Sequence, residues 1–147
     1  MAEQDTTSPA PDGAATQDRL KQVEAAFQRA TALHREGKLD EAIAGYRQVV
    51  QVAPSFARAY NNLGVALRAK NQYAAAVTAY ERSLANAPGD AGALSNMGNA
   101  LRALGRFEDA EAAHRAALEA KPDYAEARYN LGLVLKDRGR FAESLEC

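Results

Sequence analysis

From Val23 onward the apolar positions fall into short amphipathic stretches separated by turn residues. Leu63 and Leu67 lie one helical turn apart, and after a break Tyr73, Val77, Tyr80 and Leu84 keep the three-to-four spacing of a helix with one apolar face. Nothing along the chain alternates apolar and polar residues as a half-buried strand does. The pattern predicts helices throughout, joined as hairpins.

The breaks recur at a fixed interval. Gly37, Asn71, Gly105 and Gly139 stand 34 residues apart, where a left-handed residue would close a first helix. Pro54, Pro88 and Pro122 keep the same interval, and because proline lacks the amide donor and clashes with the preceding turn, each second helix must end before it. A period of this length marks stacked two-helix units, each able to bury its apolar stripe only against a neighbour. The units are residues 23–56, 57–90, 91–124 and a partial 125–147.

Laid under one another, the units align nearly every apolar position. Columns 7 and 8 read Arg29-Ala30, Leu63-Gly64, Met97-Gly98 and Leu131-Gly132. Column 11 is leucine in all four units (Leu33, Leu67, Leu101, Leu135), and column 17 is Leu39, Tyr73, Phe107 and Phe141. Column 20 holds Ala42, Ala76, Ala110 and Ser144, and column 24 holds Tyr46, Tyr80 and His114. Small residues at columns 8 and 20 would let two antiparallel helices approach closely. Asp40, Glu41, Glu108 and Asp109 fall early in second helices, where they complement the helix dipole.

These columns resemble the tetratricopeptide repeat (TPR) family over residues 23–147. The resemblance implies an all-α fold, a right-handed superhelix of antiparallel helix pairs, and a binding role with no catalytic activity of its own. Departures from the pattern fall at column 4, where Ala26 thins the core and Arg128 puts a charge at a packing position, and at His114 in the aromatic column. The two middle units are expected to be the most regular.

The resemblance also implies that the first helix of each unit lines a concave groove through columns 2, 5, 6, 9, 12 and 13. Column 6 reads Gln28, Asn62, Asn96, Asn130, and Asn99 joins it from column 9. An amide offers both donor and acceptor, so such a ladder can hold the main chain of an extended peptide. It is similar to the asparagine ladder of the O-linked N-acetylglucosamine transferase superhelix. Column 12 adds Arg68, Arg102 and Lys136 after His34, a positive stripe that would attract acidic or polar segments. A chaperone-tail clamp is not reproduced, since its basic positions are Phe27, Gly92 and Asn96 here.

Composition narrows the partners to protein or peptide. With 18 Lys and Arg against 19 Asp and Glu, the chain lacks the basic excess of a general nucleic-acid binder. No apolar run approaches membrane-spanning length. His34 and His114 stand far apart with no ligand spacing around them, and no phosphate loop or nucleophile motif is present, so no metal, cofactor or catalytic site is expected. The single Cys147 fits a reducing, cytoplasmic setting.

Residues 1–17 are rich in Pro, Thr, Ala and Asp and predict a flexible tail, with helix from about Asp18 and the array over 18–147. The fourth unit stops at column 23 with no polar closing helix. That predicts a longer parent protein, such as a glycosyltransferase whose substrate this region recruits. It also predicts apolar surface around Leu133, Phe141 and Leu145, suited to end-to-end self-association.

Overall fold

The structure, a computed structural model, describes residues 13–147. Among these residues all regular structure is helical: α1 (Gly13–Arg35), α2 (Leu39–Val52), α3 (Ala57–Ala69), α4 (Tyr73–Asn86), α5 (Ala91–Ala103), α6 (Phe107–Ala120), α7 (Ala125–Asp137) and α8 (Phe141–Leu145). Consecutive helices pair as antiparallel hairpins, and each hairpin packs on the next. The expected all-α class is present. The expected tail lies outside the described residues up to position 12, but residues 13–17 are helical. An existing helix extends at the gain of one bond per residue, and Ala14 and Ala15 favour that extension.

Each hairpin turns in the same way. Gly37, Asn71, Gly105 and Gly139 have φ of 76°, 59°, 73° and 75°, the left-handed conformation anticipated for column 15. The amide that follows reaches back to a column-11 carbonyl each time: Lys38 to Leu33 at 3.0 Å, Gln72 to Leu67 at 3.0 Å, Arg106 to Leu101 at 2.9 Å and Arg140 to Leu135 at 2.9 Å. Leucine in column 11 therefore serves twice, as a core side chain and as the carbonyl that closes the turn. With the turn so fixed, the second helices start without a side-chain cap, whereas Asp90 caps α5 by accepting from the Ala93 amide at 3.0 Å.

Packing within a unit centres on column 24. Tyr46, Tyr80 and His114 are fully buried, as are Ala42, Ala76 and Ala110 in column 20. The reason for glycine in column 8 is sharper than general closeness of two helices. A Cβ on Gly64 would stand 2.5 Å from Tyr80 Cε1, and one on Gly98 would stand 2.6 Å from His114 Nε2. The ring of the second helix lies flat on backbone that has no side chain.

At the edges of the array the pattern loosens. Ala26 borders a cavity of about 380 Å³ between α1 and α2, consistent with the thin core expected there. Arg128 does not enter the core; it is exposed and donates to the Pro122 carbonyl at 2.6 Å. In column 21, where Ile43 and Val77 are buried, the third unit carries the buried Glu111. It accepts from Arg140 at 2.7 Å, from Arg115 at 2.9 Å and from Arg138, tying α6 to the α7–α8 turn. Burial alone would raise this carboxyl, but the three guanidinium hydrogen bonds outweigh it and hold Glu111 below the ordinary carboxylate range.

The ring-on-glycine contact is tested by Gly64→Ala, against Gly89→Ala, where an added Cβ meets nothing within 4 Å. Overpacking at Gly64 should lower stability by about 1–3 kcal/mol. Urea unfolding followed by circular dichroism would read it, and equal midpoints for the two variants would contradict the account.

Candidate peptide-binding groove

Which side of the stack is concave follows from which helices meet. α1 touches α3, α3 touches α5 and α5 touches α7, whereas among the described residues no second helix reaches the next second helix. The first helices are therefore drawn together and the second helices splayed apart. The stack bends around a face carried by α1, α3, α5 and α7.

Two side-chain bonds cross that face, both between residues 35 apart. Asn96 Nδ2 donates to Asn61 Oδ1 at 3.3 Å, and Arg102 Nε donates to Asp137 Oδ2 at 2.6 Å. Neighbouring first helices thus meet one column out of step, so column 5 faces column 6 of the next unit and column 12 faces column 13. Asn61 and Asp137 escaped the sequence reading, although the offset of 35 against a repeat of 34 would have found them.

The asparagine column is consequently not a set of equal rungs. Asn96 already engages its amide donor, while Asn62, Asn99 and Asn130 are half-buried. Gln28 is exposed and donates to Glu24 on its own helix at 2.5 Å. Phe27, inward by its column, is core: it is 2% exposed, packs at a tilt against Phe56 with centroids 4.9 Å apart and lies under the Arg58 guanidinium at 4.9 Å. The groove surface is therefore built by α3, α5 and α7 more than by α1. Asn99, Arg102, Ala103, Phe107 and Asp137 line an open concavity of about 480 Å³.

Column 12 is also differentiated, because in the first three units its members lie near the polar ends of column-24 rings. Tyr46 Oη lies 3.4 Å from His34 Nδ1 and donates to Thr31 Oγ1 at 3.3 Å. Burial pushes the Tyr80 hydroxyl up to about 12, with the charge of Arg68 acting the other way. Burial likewise pushes His114 down to about 4, aided by the charge of Arg102, so its imidazole is neutral at physiological pH. Burial lowers His34 as well. The even positive stripe expected from sequence is thus broken: His34 carries no charge near neutral pH, Arg102 is paired with Asp137, Arg68 is half-buried and Lys136 is exposed.

With this geometry established, comparison with known proteins places the chain. Tetratricopeptide-repeat family models match residues 27–91, 79–112 and 98–139. The chain belongs to the tetratricopeptide repeat family. The first TPR of Spaghetti (RPAP3), solved with an HSP90 peptide of sequence SRMEEVD, is 23% identical with a TM-score of 0.79, over 81% of this chain and 94% of that one. MamA from Desulfovibrio magneticus is 24% identical with a TM-score of 0.80, over 84% and 70%. The O-GlcNAc transferase of Thermobaculum terrenum is 30% identical with a TM-score of 0.74, over 80% of this chain and 22% of that one. These likenesses give the fold, a right-handed superhelix of antiparallel helix pairs. No curated protein matches the chain at a significant level.

The buried imidazole makes stability depend on pH. A folded-state value near 4 against an ordinary 6.5 means that the unfolded chain binds the proton more readily, so stability is full above 6.5 and declines as pH falls through 4. Between pH 7 and pH 5 the loss should be about 2 kcal/mol. His114→Tyr, which restores the residue found in the first two units, should flatten that slope in urea titrations. A slope unchanged by the substitution would show that His114 is not its source.

Proposed function

We propose that the chain is a protein-interaction scaffold that holds extended, polar or mildly acidic peptide segments along the face formed by α3, α5 and α7. The observation that supports this reading is the succession of first-helix contacts, which bends the stack around the helices that carry Asn62, Asn96, Asn99, Asn130, Arg68 and Lys136. Amides there can pair with a peptide main chain regardless of its side chains, and the remaining cations favour carboxylates. The SRMEEVD peptide on the RPAP3 repeat supports an extended, acid-bearing ligand. Chaperone tails are not the intended class, because the clamp positions hold buried Phe27, Gly92 and an engaged Asn96. The role is non-catalytic.

A cytoplasmic setting fits the single free Cys147, and no helix of the described residues is long and apolar enough to cross a membrane. Self-association through the α8 end is supported by Phe141 and Leu145, which are 61% and 89% exposed, while Leu133 is half-buried. A second reading rests on the 30% identity to the O-GlcNAc transferase, of which this chain spans about a fifth. In that reading the array is the substrate-recruiting region of a larger glycosyltransferase, and a reading frame continuing into a catalytic domain would support it.

Selection of peptides from a displayed random library, followed by fluorescence anisotropy on the enriched sequences, tests the groove. The triple variant Asn62→Ala, Asn96→Ala, Asn130→Ala should keep its helical spectrum and lose affinity by about tenfold or more, since each amide contact contributes roughly 0.5–1.5 kcal/mol. Unchanged affinity would remove the amides from the binding surface.

A further inference from the structure

The repeat supplies an internal comparison between two arginines in one column. Arg102 is satisfied by Asp137, 35 positions on, at the last residue of the next first helix. The same step from Arg68 leads to Ala103, the last residue of α5. Ala103 is exposed and has no carboxylate to offer. Arg68 makes no salt bridge among the described residues, and its Nε is hidden from solvent with no hydrogen-bond partner. The Tyr80 hydroxyl lies against this guanidinium, but Arg68 lacks the carboxylate that its counterpart one unit along possesses.

We propose that Arg68 is where the groove reads an acidic side chain of the bound peptide, the ligand carboxylate meeting the terminal guanidinium nitrogens of Arg68 at the junction where the array supplies no counterpart of Asp137. This rests on the peptide-groove reading and assigns its specificity to one junction, that between α3 and α5. Asn99 stands one helical turn before Ala103 on the same face, half-buried, and brings an amide donor to that stretch of α5. Ala103 keeps the space open that a longer residue would fill. Lys136, exposed and on a flexible stem, adds attraction without geometry.

The offset of 35 makes the proposal testable by moving one carboxylate. A random-peptide library displayed as internal inserts, with no free terminal carboxylate, is panned on the wild-type array, and enriched sequences are remade with Glu or Gln at each acidic position. Wild type should prefer Glu over Gln by about tenfold at one position. Ala103→Asp supplies Arg68 with an internal partner and should bring the Glu-to-Gln ratio close to one, with melting temperature and affinity for the Gln peptide retained. Arg68→Gln should do the same, and Asp137→Ala, by freeing Arg102, should create a second acid preference one repeat further along the peptide. Enriched peptides with no fixed acidic position, or a preference that survives Ala103→Asp, would overturn the assignment to Arg68 while leaving the groove intact. Failure to enrich any peptide would overturn the groove reading and this assignment with it.

Discussion

The array depends on how closely the two helices of a unit approach, and in the second and third units that distance is set by an aromatic or imidazole ring resting on a residue without a side chain. Tyr80 over Gly64 and His114 over Gly98 leave no room for even one added carbon. Close packing of this kind propagates strain instead of absorbing it. Because each ring is fixed, its polar end is fixed too, and the residue one turn of α-helix past column 8 must deal with it. That accounts for the polar or cationic residue in column 12 of the first three units, through which a core requirement reaches the first-helix face.

The coupling explains why the third unit can use a histidine. An imidazole fills the same slot as the tyrosine ring but has two nitrogens, both buried and without partners. Unlike a phenol, it can take up a proton there, and Arg102 opposes that protonation. Asp137 draws the arginine charge outward toward α7 at 2.6 Å. The same ion pair therefore serves the ring below it, the junction to the fourth unit and the charge pattern of the groove.

The features legible in the sequence were those dictated by backbone geometry. Gly37, Asn71, Gly105 and Gly139 could be placed in left-handed turns because few other residues tolerate that conformation, and Pro54, Pro88 and Pro122 because they cannot continue a helix. Column 6 of α3, α5 and α7 was assigned to the concave side by the resemblance to the repeat family, not by backbone geometry. What was not legible depends on rotation between units. The meeting of Asn61 with Asn96, the capture of Arg102 by Asp137 and the withdrawal of Phe27 into the core all follow from the offset at which neighbouring first helices touch, which no single unit encodes. The start of α1 at Gly13 was missed because propagation from a formed helix needs no apolar face.

Glu111 shows how the last junction differs from the others in kind. Where Ile43 and Val77 are buried in the first two units, the third unit adds to the apolar contact with α7 a buried carboxylate that binds Arg138 and Arg140 of the fourth unit as well as Arg115 of its own helix. A buried ionic contact of this type is specific in direction and intolerant of losing one member, but contributes little beyond what an apolar pair would. Apolar junctions fix the distance between units and leave rotation loosely specified, whereas converging guanidinium groups fix rotation. Arg138 and Arg140 follow directly on Asp137, so the junction at Glu111 anchors the end of α7 from which Asp137 reaches Arg102.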